Sequence, residues 1–244
     1  MTQLLVSVRS VAEADIAQLG GADVIDVKEP LHGSLGRAAD EVLTGIHARL
    51  AGQAALSAAL GELAEAPLPV PACFRGFVKL GLAGAARPGA TQTLNQWREM
   101  LTRAQPLVLA AYADWRRAEA PSPEEAAELA GSHRCAGLLI DTWKKDGSRL
   151  LDWLGLDHLH RLREETRQAG LLLALAGSLR LEDVPLLLEV KADLLGFRTA
   201  ACGSAGRTGS LCPRAVARLA VAVHGSARKL TSRTSRSRSA AWGK

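Results

Sequence analysis

The chain has 244 residues, 48% of them hydrophobic but only 4% aromatic, so its interior must be assembled from aliphatic side chains, and its length suffices for one large core. The formal net charge of +5 does not mark a nucleic-acid binder: residues 225–244 hold six basic residues and no acid, so the remainder carries −1. No stretch approaches the roughly 18 consecutive apolar residues of a membrane span, the N-terminal run is too short for a signal sequence, and the four cysteines form no CxxC pair, which together point to a cytoplasmic protein with reduced thiols.

In chain order, short apolar runs alternate with longer segments of helical period. LLVSV (4–8) precedes a helical pattern at 11–19, and VIDVK (24–28) precedes one at 38–50. ALSAALG (55–61) runs into GELAEAPLPVPACFRGF, whose prolines at 67, 69 and 71 predict a turn or extended crossover in place of a helix. GFVKLGL (76–82) is followed by a helix at 92–104. LVLAAYAD (107–114) is followed by one at 122–131, where Ser122, Pro123 and Glu125 spell a capping box. GLLIDT (137–142), LLLALAGS (171–178) and LLGFRTA (194–200) pair in the same way with helices at 156–169, 182–191 and 213–223.

Strands alternating with helices imply parallel pairing through right-handed crossovers. Eight such units at this length predict an α/β protein, a single-domain closed (β/α)8 TIM-like barrel over residues 1–224 with a degenerate third unit. An open doubly wound sheet is the alternative. Residues 225–244, rich in Ser and Arg and without apolar periodicity, are expected to form a disordered basic tail.

A barrel builds its site at the C-terminal ends of its strands, and the polar residues fall there. Asp26 and Lys28 share one face of the second strand, Lys79 lies in the fourth, and the sixth ends in Asp141 and runs into Trp143, Lys144, Lys145 and Asp146. Taken singly, each has a plainer explanation: a lysine can snorkel to solvent, an aspartate can cap a loop, and a Lys-Lys pair can form a solvated turn with at most one side chain inward. Together, lysines inside apolar strands require partners, and Asp26 and Asp141 are the nearest carboxylates. Burial and neighbouring ammonium groups favour a neutral amine, and a neutral lysine attacks carbonyl carbon to form a Schiff base. Such chemistry needs no metal and no cofactor, and the six histidines are scattered without ligand spacing.

The loops after the last two strands suit a phosphate. AGSL (176–179) and FRTAACGSAGRTGS (197–210) offer Gly177, Ser178, Gly203, Ser204 and Gly206 as a concavity, with Arg198 or Arg207 supplying charge. A glycine-rich surface turn is the alternative.

The segments LLVSV, GGADVIDVKEPLHGSLG, LSAALGE, FVKLGL, AAYAD, IDTWKKDG, LALAGSL and LLGFRTAAC, running from residue 4 to about 223, together resemble the (5-formylfuran-3-yl)methyl phosphate synthase family. The resemblance implies a TIM-like barrel that condenses two molecules of glyceraldehyde 3-phosphate into a phosphorylated furan aldehyde, toward methanofuran or an analogue. Residue by residue, it makes Lys28 the Schiff-base lysine and Lys79 the proton acceptor, with Asp26, Asp141 and Lys145 at further polar positions of the site. Asp26 is then expected to orient the Lys28 amine. Against the family pattern, the segment between strands three and four is shortened and proline-rich, and Thr199 stands where glycine is usual.

Two rivals follow. One is another Schiff-base sugar-phosphate aldolase on the same barrel; the other is a non-catalytic phosphate-binding scaffold. The expected partner is a small triose phosphate substrate, with no membrane and no specific nucleic acid, since the tail has no interleaved aromatics apart from Trp242. A homo-oligomer is compatible with a barrel of this kind.

Overall fold

Strands buried on both faces read as near-continuous apolar runs, and eight such runs pair in sequence order into a closed parallel barrel. The computed structural model describes residues 1–50, 52–86 and 89–225. The strands are β1 (Gln3–Val8), β2 (Val24–Val27), β3 (Ala55–Glu62), β4 (Phe77–Gly81), β5 (Leu107–Tyr112), β6 (Gly137–Asp141), β7 (Leu172–Leu175) and β8 (Leu194–Phe197), and β8 closes on β1. The helices among the described residues are α1 (Val11–Leu19), α2 (Asp40–Leu50), α3 (Ala90–Met100), α4 (Pro123–Ser132), α5 (Leu150–Trp153), α6 (Leu156–Gln168), α7 (Val184–Glu189) and α8 (Pro213–His224). The open-sheet alternative is thereby set aside.

Boundaries follow local chemistry. Ser122 and Glu125 cap α4 reciprocally, as their spacing predicts. α3 stops four residues short of its expected end because Leu101 is already extended. The segment expected as one helix at 182–191 splits into a 3-10 turn, Leu181–Asp183, and a short α7, and the chain leaves it through Lys191 at φ 56°. The one-turn α5 has no counterpart in the sequence reading.

Residues 63–76, the proline-rich crossover, contain no helix. Side chains hold it instead: Arg37 donates to the Leu68 and Pro69 carbonyls at 3.0 and 2.6 Å, and the Gln105 amide reaches the Pro71 and Phe74 carbonyls at 3.4 Å each. From residue 226 on, the tail expected to be disordered lies outside the described residues.

Candidate active site

The register of the first three strands places three polar residues side by side. Ser7 of β1 is level with Asp26 of β2, which is level with Ser57 of β3. Both hydroxyls donate to the carboxylate, Ser57 to Oδ1 at 2.7 Å and Ser7 to Oδ2 at 2.9 Å. Lys79, on β4 beyond Ser57, reaches Asp26 Oδ1 at 2.5 Å. Burial alone would raise the Asp26 carboxyl; the Lys79 and Lys28 charges and the hydrogen bonds from Lys79 and Ser57 reverse this and hold it below the usual range.

Asp26 therefore pairs with Lys79, and the expectation that it orients Lys28 is corrected. Residues i and i+2 of a strand are about 7 Å apart along its axis, so Lys28 emerges one layer above Asp26. Its Nζ makes one long hydrogen bond, 3.4 Å to the Ser34 carbonyl, and no carboxylate among the described residues is in ion-pair contact with it. Burial lowers the Lys28 pKa to about 8; Asp141 and Asp26 oppose the shift at longer range, and Lys145 and Lys79 reinforce it. The third amine, Lys145, sits 2.7 Å from Asp141 Oδ1 and 3.1 Å from Thr142 Oγ1. Burial tends to raise the Asp141 carboxyl too, but Lys145 and Lys28 bring it below its ordinary value. Lys144 is exposed, over the Trp143 ring, so one lysine of the pair points inward.

Ser7, Asp26, Lys28, Lys79, Asp141 and Lys145 line one cavity of about 570 Å³, which also takes in Gly177, Ser178, Thr199, Arg198 and Arg207. The loop after β2 crosses its mouth as a strap. Ser34, fully enclosed, shares its one hydroxyl proton between the Thr142 and Trp143 carbonyls, at 2.9 and 2.8 Å on the β6 side, while Gly61 N–H is held by the Leu35 carbonyl at 2.9 Å. Gly36 permits the crossing, because a Cβ there would lie 2.2 Å from the Glu29 carbonyl oxygen.

The two phosphate loops divide. Gly177 (φ 100°) and Ser178 (φ 52°) line the cavity, and a left-handed serine is costly unless its surroundings impose it. Gly203 and Ser204, expected as ligands, are exposed and off the cavity wall, because the 3-10 segment Ala200–Ala205 turns them outward. Arg198 lines the cavity, but all five of its donors are taken: Nε by the Arg207 carbonyl (2.8 Å), Nη1 by the Ser7 carbonyl (3.0 Å) and Glu13 (2.5 Å), Nη2 by Glu13 (3.2 Å) and the Gly209 carbonyl (2.5 Å). As a direct phosphate ligand it is corrected; it is a structural cation. Arg207 has one partner among the described residues, the Gly33 carbonyl at 3.0 Å.

Sequence reasoning passed over Ser7 and Ser57, although each is a polar residue at an inward position between apolar neighbours of its strand. Ser34 and Glu13 gave no such sign, since their partners are 108 and 185 residues away.

The family model described as 4-HFC-P synthase matches residues 4–220, nearly the whole barrel. The chain belongs to the 4-HFC-P synthase family. It is 35% identical over 215 residues to a (5-formylfuran-3-yl)methyl phosphate synthase of Methanococcus maripaludis, covering 84% of this chain and 91% of the relative. A protein of the same name from Methanopyrus kandleri is 34% identical over 239 residues, covering 91% of this chain and 98% of the relative. Among solved structures, phosphoribosyl anthranilate isomerase from Thermus thermophilus superposes with a TM-score of 0.63 at 16% identity, covering 91% and 98% of the two chains. A 3-hexulose-6-phosphate synthase from Salmonella typhimurium gives 0.60 at 14%, covering 91% and 100%. At such identities these likenesses speak for the fold alone, whereas the synthase relatives make the chain an enzyme.

Proposed function

We propose that the enzyme condenses two molecules of glyceraldehyde 3-phosphate, through a Schiff base on Lys28, to (5-formylfuran-3-yl)methyl phosphate, releasing one inorganic phosphate and two waters, as a step toward methanofuran or an analogue. The observation that carries this reading is the difference among the three cavity lysines. Lys79 and Lys145 are paired at 2.5 and 2.7 Å, while Lys28 has no carboxylate in contact among the described residues and a pKa lowered to about 8. About a tenth of the Lys28 amine is then neutral at pH 7, and that fraction is the nucleophile.

Attack of Lys28 on the aldehyde of the first triose and loss of water leave an iminium, which draws electrons from the adjacent carbon. Lys79, held 2.5 Å from Asp26, gives up its own proton to solvent and removes the proton next to the iminium, giving an enamine, while the Asp26 carboxylate keeps the amine in place. Loss of phosphate from the second triose, after removal of its C2 proton, leaves a double bond conjugated to its aldehyde, and the enamine carbon adds to the terminal carbon of that double bond to form the carbon–carbon bond. Closure of the second triose's C2 oxygen onto the iminium carbon, release of the amine and loss of a second water complete the furan, the second triose's aldehyde becoming the formyl group, with Lys145 and Asp141 positioned to supply and accept protons. Gly177 and Ser178 offer one phosphate a place at the β7 turn.

The test is incubation with glyceraldehyde 3-phosphate alone, following furan absorbance and released phosphate, with borohydride trapping of the lysine adduct. Wild type is expected to form furan and phosphate in equal amounts, and Lys28→Ala to form neither and to trap nothing. Near-normal turnover by Lys28→Ala would remove the assignment. A trapped adduct without furan in wild type would move the enzyme to the simple sugar-phosphate aldolases.

A further inference from the structure

A condensation of two triose phosphates brings two phosphate groups into one cavity, and the β7 turn accounts for one of them through donors that carry no full charge. The other requires a cation with donors to spare. Of the basic residues lining the cavity, Lys79 and Lys145 are committed to carboxylates, Lys28 is the nucleophile, and Arg198 has no donor left. Arg207 remains.

We propose that Arg207 forms a second phosphate-binding position, which holds the phosphate of the second triose between the loop after β8 and the strap after β2. The inference rests on the two-triose reading above and adds a residue to it. Arg207 is half-buried, lines the same cavity as Lys28, and among the described residues uses one of its five donors, on the Gly33 carbonyl of the strap. The remaining donors can present the planar fork that matches two phosphate oxygens. Burial and the neighbouring Arg198 disfavour the Arg207 charge, with Asp141 and Glu29 opposing, so an arriving dianion would relieve a cation that is incompletely compensated. The two phosphate positions stand on different elements: Gly177 packs against Thr142 beyond β6, whereas Arg207 leans on the β2 strap.

The loop that carries Arg207 is anchored for the purpose. Arg198 binds the Arg207 and Gly209 carbonyls, and Arg9 binds the Thr208 carbonyl at 2.7 Å. Arg198 is in turn fixed by Glu13, whose backbone N–H is capped by the Ser10 hydroxyl at the start of α1. The buried pair thus acts as a positioning device, and Arg207, with donors to spare, is the ligand.

Two measurements on the full chain test this. In a 31P NMR titration with inorganic phosphate, wild type is expected to bind two per chain, Arg207→Ala one, and Arg207→Lys two with the second weakened. In Arg207→Ala, borohydride trapping of a single triose on Lys28 should persist, while the KM for furan formation rises roughly tenfold to a hundredfold. Equal phosphate stoichiometry in wild type and Arg207→Ala would overturn the proposal, as would loss of trapping in a variant whose thermal melt is unchanged. Should wild type trap a triose yet form no furan, the two-triose reading fails and the second-triose role falls with it; the phosphate titration still decides whether Arg207 binds an anion.

Discussion

The two ends of the barrel interior are built from the same strands and differ in everything else. At the C-terminal end the inward side chains are Asp26, Lys28, Lys79, Asp141 and Lys145 around a cavity of about 570 Å³. At the N-terminal end Val24, Phe77, Val108, Leu172 and Leu194 surround a second cavity of about 400 Å³, whose wall is apolar apart from Ser57 and Lys79. Leu5, Lys79, Leu139 and Ala174 belong to both. A step of two residues along a strand therefore separates chemistry from packing, and the apolar floor is what lowers the dielectric around the lysines above it.

The comparison breaks most sharply at Asp26. Asp26→Asn keeps the shape but removes the carboxylate that holds the Lys79 amine, and turnover should fall about 100- to 10,000-fold, the usual worth of a positioned acid–base group. A loss below tenfold in steady-state kcat would mean that Lys79 works without it. The second effect concerns stability. Lys28 has its pKa lowered from 10.5 to about 8, so the folded state binds its proton less well than the unfolded chain does. The penalty is fully present below pH 8 and disappears as pH rises through 10.5. Lys28→Met should accordingly stabilise the protein at pH 7 by on the order of 3 kcal/mol, with the gain shrinking toward pH 10, as read from urea unfolding at several pH values. A destabilised Lys28→Met variant would place the amine in a favourable setting and remove the strain.

At the other end, Leu194→Ala should cost about 2–3 kcal/mol in unfolding free energy and leave kcat within about twofold, because it enlarges an apolar cavity away from the amines. A large kcat loss there would show that the floor positions Lys79 directly. The mildest signature is pH dependence: Schiff-base formation requires neutral Lys28, so kcat/KM should fall about tenfold per pH unit below a break near 8 and level off above it. A break below 7 or its absence would point to another nucleophile.

Much of this was legible before the fold was known. The alternation of eight apolar runs with helical segments announces the barrel, the period-two geometry of a strand puts Asp26 and Lys28 on one face, and Asp26, Lys28, Lys79, Asp141 and Lys145 do share one cavity. Ser7 and Ser57 were readable by the same rule. Gly203 and Ser204 misled because glycine content reports a turn and says nothing about which way the turn faces.

By itself the sequence determined the order of the elements, the absence of a third crossover helix and the set of side chains directed at the barrel axis. These depend on local periodicity and on proline geometry, which act over a few residues. The tertiary structure alone decided which carboxylate each lysine meets and which arginine has donors to spare. Asp26 meets Lys79 across β3, and Arg198 is saturated by Glu13 from 185 residues away. Hydrogen-bond saturation and the desolvation of a charge are properties of the closed barrel, and no window along the chain contains them.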